Sequence, residues 1–225
     1  RSYETYSIKA LTMSKSEAKA FKGVVGRTPN QKKFLQTVNE KDFTIISGVY
    51  GSGKTWMSVG LACEYLIKEK VEKIVFVSNS TFAIKEMGYT SGSWKEKCLD
   101  MFDQVTEYFT RFLGINTFKK LYDEGRIELT SIALLRGRNF ESSFVVLEEA
   151  QMCNREDMIL FISRIDKGSK VIIGGDEYQT SPGSFFELLM NNFEDEAVGK
   201  CRLTEEDIQR NKHMARICNK MKNLL

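Results

Sequence analysis

Three glycines, an amine and three hydroxyls stand within the eight residues Gly48-Val49-Tyr50-Gly51-Ser52-Gly53-Lys54-Thr55. Glycine adopts dihedrals that bring backbone N–H groups close to a bound anion, so successive amides and the first turn of a following helix can surround a row of phosphates. Lys54 would reach the β- and γ-phosphates of a nucleotide, and the Thr55 hydroxyl is placed to ligate a Mg²⁺ ion that bridges them. The flanks agree: Phe43-Thr-Ile-Ile-Ser47 has the pattern of a buried strand, and Trp56 and Met57 open an amphipathic helix. Residues 48–56 are therefore the candidate nucleotide contacts. An incidental glycine-rich turn is the alternative, and it requires strand, loop and helix to coincide by chance.

A second group lies some ninety residues downstream, where Phe144-Val-Val-Leu147 ends in Glu148-Glu149-Ala150-Gln151. Paired acids at this place in phosphate-loop enzymes divide the work: the first holds the metal's water shell, and the second orients the attacking water. The usual first acid is aspartate. Glu148 is one methylene longer, so either the strand end sits back or the metal geometry differs; the bland alternative is that both acids cap the following loop. A third group, Val171-Ile-Ile-Gly-Gly175-Asp176-Glu177-Tyr178-Gln179, again puts polar residues past a buried strand, the edge at which ligands of open α/β sheets collect. Asp176 is a candidate nucleotide contact, and the Gln179 amide can donate to a γ-phosphate or position water. Gly-Asp is also a common turn.

Holding these groups together requires strands that end at one edge. Short β-branched or aromatic runs at 43–47, 74–78, 127–129, 144–147, 171–173 and 201–203 alternate with helical patterns at 54–68, 93–112, 155–163, 183–191 and 205–222. Several runs are apolar at consecutive positions, which suits a parallel sheet buried on both faces by crossover helices. The expected fold is α/β, a three-layer sandwich with a mostly parallel central sheet. Ahead of it, Ser14 with Glu17 opens a helix over 14–21, and Thr28-Pro29-Asn30-Gln31 opens another over 29–39. The organisation expected is an N-terminal helical segment, 1–40, and one core, 41–225.

Composition removes other chemistries. One histidine and five cysteines without a Cys-x-x-Cys pair leave no material for a zinc site, a disulfide framework or a serine–histidine–aspartate triad. No uncharged stretch exceeds eleven residues (43–53 and 74–84), far short of the ~20 a membrane-spanning helix needs. The expectation is a cytoplasmic protein without a secretory leader or a membrane partner. Net charge is only +3 and does not by itself argue for nucleic acid.

Taken together, Gln31, Gly48 to Thr55, Leu135-Arg-Gly-Arg138, Leu147-Glu-Glu-Ala-Gln151, Phe161-Ile-Ser-Arg164, Gly175-Asp-x-x-Gln179 and Asp207-x-x-Arg210 resemble the PhoH-like ATPases, over about 28–214. Cores of that family are similar to the first motor domain of superfamily-1 helicases. The resemblance implies a RecA-like phosphate-loop fold, Mg²⁺-dependent ATP hydrolysis with helicase-like activity, and RNA or single-stranded nucleic acid as partner. It implies that Gln31 touches the adenine edge and selects ATP, although the helix-cap reading of the same residue competes with this, and both can hold. Departures stand at Asn79-Ser80, where the family usually shows Arg-Pro, at Ser91 before Gly92, where it shows proline, at Asn211, where it commonly has histidine, and at Glu148. Divergence and small size would suit a phage-encoded member.

Three functions compete at this level. The leading one is an ATPase coupled to RNA or DNA, with Arg136 and Arg138 contacting phosphates and Tyr89, Trp94 or Phe140 offering stacking surfaces; simple packing is the alternative for each aromatic. The second is a small-molecule or nucleoside kinase, although the zinc-bearing cysteine lobe usual in nucleoside kinases of this type is not visible. The third is a nucleotide-controlled binding module with little hydrolysis. With room for one core, the ATP site needs a face supplied by a neighbour, so a homo-oligomeric ring, a hexamer by resemblance, is expected. Arg210 is the candidate for the completing cation, against the reading of an exposed helix arginine.

Overall fold

The computed structural model describes residues 21, 23–79, 102–180, 183–209, 213, 217 and 220. The expectations for residues 14–20, for Ser80, Tyr89, Trp94, Arg210 and Asn211, and for residues 93–101 lie outside them. Among the described residues six strands form one sheet: β1 (Phe43–Gly48), β2 (Lys73–Ser78), β3 (Ile127–Ser131), β4 (Ser143–Glu148), β5 (Lys170–Gly175) and β6 (Val198–Leu203). Their order is β3-β2-β4-β5-β1-β6, and every neighbouring pair is parallel. The sheet is the one expected, with each strand extending at least to the limits of its apolar run.

Helices cover both faces. α1 (Pro29–Glu40), α2 (Lys54–Ile67), α3 (Asp103–Leu113) and α4 (Ile115–Asp123) precede β3; α5 (Arg155–Ile162) and α6 (Phe185–Asn192) follow β4 and β5. Side chains alternate along a strand, so Ile46, Ile74, Phe76, Phe144, Val146 and Ile172 enter one core with α1 to α4. Ile45, Val75, Val77, Val145, Leu147, Val171 and Ile173 enter the other core, with α5 and α6. This is why several of the strands, β2 and β4 above all, read as apolar runs at consecutive positions. Burying each such side chain contributes ~1.5–3 kcal/mol.

Two elements depart from expectation. α4 has no counterpart in the sequence pattern, because Ile115-Asn-Thr opens it with β-branched and polar residues of weak helix propensity. Tertiary packing forms it: Phe118 stacks on Phe109 of α3 at 5.7 Å, and Leu121 and Tyr122 are buried with it. The expected helix over 205–222 is broken. A 3₁₀ turn, Glu205–Asp207, follows Thr204, and Ile208 is extended. The Asp207 carboxylate accepts from Thr204 N–H at 2.7 Å, as an N-terminal box should, but it also accepts from Thr28 Oγ1 and from Asn30 Nδ2. Those long-range bonds hold the turn against α1 and divert the chain. Helical backbone appears at His213, Ile217 and Lys220.

Candidate functional site

β1 delivers the chain to the sheet edge at Gly48, and five residues later Gly53 starts α2 with φ +95°. L-residues rarely adopt that dihedral. At Gly48 the constraint is space, since a Cβ there would lie 2.8 Å from Leu203 Cβ. Ser52 closes the loop by donating from both N–H and Oγ to Val49 O, at 3.2 and 2.7 Å. No side chain caps α2, so its first amides are available to an anion. Lys54 Nζ donates back to Gly48 O and Val49 O, at 2.5 and 3.3 Å. Burial pushes the Lys54 pKa down, against the pull of Glu148, Asp176 and Glu149. Tyr50 stands exposed at the loop tip.

Glu148 is the last residue of β4, and Thr55 Oγ1 donates to its Oε2 at 3.2 Å. Its other oxygen, Oε1, is buried without a hydrogen-bond partner among the described residues. Burial raises the Glu148 pKa to about 7; Lys54 opposes the rise, Glu149 adds to it and the Thr55 hydrogen bond opposes it. Glu149 has left-handed backbone, φ 55° and ψ 37°, a strained conformation for a residue with a side chain. That turn swings its carboxylate out of the strand's alternation.

Glu149 is not isolated. Gln151 Nε2 donates to Glu149 Oε2 at 2.5 Å, while Gln151 Oε1 accepts from Asp176 N–H at 3.0 Å. Gln179 Nε2 in turn donates to Asp176 Oδ2 at 2.8 Å. A hydrogen-bonded row thus runs from β4 to the end of β5 through Glu149, Gln151, Asp176 and Gln179. Sequence reasoning did not single out Gln151 as a site residue; it stands two places past the second acid, and only the fold shows that β5 ends beside it.

On the opposite side of the loop, Gln31 is buried. Its Oε1 accepts from Arg27 N–H and Thr28 N–H at 2.8 and 3.3 Å, and its Nε2 donates to Ser52 O and Asp207 O at 3.0 and 3.1 Å. The helix cap of α1 and the phosphate loop are therefore joined through one amide. A cleft of about 580 Å³ connects the two sides, lined by Arg27, Gln31, residues 50–57, Glu148, Glu149 and Gln209, with Gln104, Glu107, Tyr108 and Arg111 of α3 opposite. Trp56 forms part of its wall, its ring 4.3 Å from Phe112 and 5.2 Å from Tyr108. Asp176 and Gln179 do not line it.

Other candidates fall elsewhere. Arg138 is half-buried and paired with Glu128, and its guanidinium lies 5.2 Å over the Phe140 ring. Phe140 itself is fully buried in the α5-side core, so it is no stacking surface for a base: its apolar ring completes the packing beneath β4. Arg136 is exposed. Asn79, at the end of β2, donates to Met152 O at 2.7 Å. Among the described residues no cluster of three or more metal-binding side chains occurs, and no helix is long and apolar enough to cross a membrane.

The fold that positions these residues is shared with known proteins. The chain is similar to the large terminase of bacteriophage HK97, with TM-score 0.55 and 16% identity over 88% of this chain and 47% of that one. The large terminase of a thermophilic bacteriophage, solved with ADP, gives TM-score 0.53 and 13% identity over 86% and 49% of the two chains. At such identities the likeness shows the RecA-like fold. In sequence, protein PhoH of Escherichia coli K12 is 30% identical over 194 residues, 83% of this chain and 55% of that protein. The chain spans about half the length of the curated relatives it matches. The model of the family described as PhoH-like protein matches residues 23–222, and the chain belongs to that family.

Proposed function

We propose that this chain binds ATP with Mg²⁺ and hydrolyses it, and that turnover is coupled to RNA or single-stranded nucleic acid. The carrying observation is one cleft that holds Lys54 and Thr55 of the phosphate loop opposite Glu148 and Glu149. Thr55 Oγ1 and the unpartnered Glu148 Oε1 fit a Mg²⁺ ion, which binds through one or two protein oxygens plus waters and substrate phosphates. Held by these two side chains, such an ion would supply positive charge against the phosphates. Lys54 leaves the carbonyls of Gly48 and Val49 for the phosphates, and the uncapped amides of α2 complete the cradle. Glu149 orients the attacking water and takes its proton as the bond from the γ-phosphorus to the β,γ-bridging oxygen breaks and ADP departs. To do so it exchanges its bond to Gln151 for one to water.

The nucleic-acid half rests on family membership, with Arg136 as the exposed basic residue of the motif that suggested it. Ring assembly, with Arg210 of a neighbour completing the site, belongs to the same proposal. A second reading, a nucleotide-controlled binding module with slow turnover, is favoured by the hold of Gln151 on Glu149. Phosphate release from ATP, measured alone, with RNA, with DNA and with candidate phosphoryl acceptors, separates these. Stimulation by nucleic acid supports the ATPase, unstimulated binding without release supports the module, and transfer to an acceptor replaces both with a kinase.

A further inference from the structure

Glu149 is exposed, and its backbone is left-handed with φ 55°. A glutamate side chain turns about three torsions, so the backbone alone does not aim the carboxylate at one place. Its aim comes from Gln151, which is buried and whose Nε2 donates to Glu149 Oε2 at 2.5 Å.

Gln151 is itself fixed from several directions. The 3₁₀ turn that carries it, Ala150–Met152, is closed by Met152 N–H to Glu149 O and by Cys153 N–H to Ala150 O, at 2.9 and 3.1 Å. Asn79, at the end of β2, pins the same turn by donating to Met152 O at 2.7 Å. At the far end of the amide, Oε1 accepts from Asp176 N–H at 3.0 Å. Room for that oxygen exists because residue 175 is glycine: a Cβ there would lie 3.0 Å from Gln151 Oε1 and 2.7 Å from the Phe186 ring. Neither Gln151 nor Asp176 lines the cleft, so a bound nucleotide does not compete for the bond between them. The amide group is planar, and anchoring Oε1 therefore fixes the direction in which Nε2 donates.

We propose that Gln151 is a positioning residue that works through Glu149, tying the water-orienting carboxylate to the backbone at the end of β5. The inference rests on the ATP-hydrolysing reading of the cleft and adds to it the group that aims its base. In the nucleotide-free chain the Gln151 bond keeps Glu149 Oε2 in place, and the attacking water replaces that bond with the carboxylate already aimed. Without Gln151 the carboxylate must be found among its rotamers, and a misplacement of about 1 Å can cost ~10²-fold in rate. A side chain that merely supports the fold matters equally whether or not residue 149 can take a proton. One that aims Glu149 matters only while the carboxylate is there.

The test measures kcat and KM for ATP, and single-turnover phosphate release, on Gln151→Ala and Gln151→Glu, each alone and combined with Glu149→Gln. Gln151→Glu keeps an acceptor for the Asp176 N–H, so the join to β5 survives, but an ionised glutamate has no hydrogen to donate to Glu149. Both variants are expected to lower kcat about ten-fold or more while KM stays within about two-fold. In the Glu149→Gln background neither should slow the residual release further, because the group that Gln151 aims is gone. Equal fold-losses in the two backgrounds overturn the inference, since Gln151 would then act through the fold alone, and so does an unchanged kcat in Gln151→Glu. Should Gln151→Ala fail to fold, the Gln151→Glu pair decides by itself. An unmodified chain that binds ATP and releases no phosphate has a different signature: it overturns the hydrolytic reading, and the role of Gln151 with it.

Discussion

Thr55 and Glu148 meet at 3.2 Å across the phosphate loop, hydroxyl to carboxylate, from elements 93 residues apart in sequence. That contact brings the first turn of α2 against the end of β4 and places a buried, unpartnered carboxylate oxygen beside the loop.

The same burial makes the site pH-sensitive. Glu148 has a folded pKa of about 7 against an ordinary 4.5, so between these values the folded nucleotide-free chain holds a proton that the unfolded chain has lost. Its contribution to stability is full below about 4.5 and is lost as pH rises through 7, about 3 kcal/mol in all. Denaturant unfolding without nucleotide from about pH 5 to 8 should show that decline, and Glu148→Gln should remove it. Mg²⁺ affinity should change in the opposite direction, rising through about pH 7 as the carboxylate ionises.

Gln151 should matter to both stability and rate. Gln151→Ala deletes the acceptor of the Asp176 N–H and the donor to Glu149, and a buried amide left unsatisfied costs ~1–3 kcal/mol. Denaturant melts should show that loss, and turnover should fall with it. Unchanged stability would mean that the row of hydrogen bonds between β4 and β5 contributes nothing.

Gly53→Ala places a Cβ on a residue at φ +95°, at a cost of ~1–2 kcal/mol. Because Gly53 starts α2, the loop rather than the core should yield. Nucleotide affinity is expected to fall more than the melting temperature, as titration and calorimetry on one preparation can establish.

Arg210 is tested by mixing. Lys54→Ala and Arg210→Ala subunits, each inactive alone, should regain activity together if a neighbour's arginine completes the site. Such an arginine can accelerate phosphoryl loss ~10³-fold or more. A mixture as inactive as its parts, from a chain that is monomeric and active when unmodified, removes both the ring and the trans arginine.

The sheet was legible because β1, β2, β4 and β5 are buried on both faces and therefore place apolar residues at consecutive positions. The loop was legible because its glycines, lysine and threonine are local to one turn. The sequence did not disclose α4, which exists through Phe118 against Phe109, or the break at Ile208, which depends on Asp207 reaching Thr28 across 179 positions. Gln151 stood within a motif of the resemblance, but its bonds to Glu149 and Asp176 did not show in the sequence. They are assembled by strand order, and no spacing within a single motif encodes that order.

The central claim is that one cleft both holds ATP and cleaves it, with separate residues for holding and for cleaving. Bound ATP and released phosphate, measured together on Lys54→Ala and Glu149→Gln, address it directly. Lys54→Ala is expected neither to retain ATP nor to release phosphate, whereas Glu149→Gln should retain ATP and release phosphate ~10²-fold more slowly than the unmodified chain. Unchanged ATP affinity in a folded Lys54→Ala variant, or near-normal release by Glu149→Gln, would contradict it.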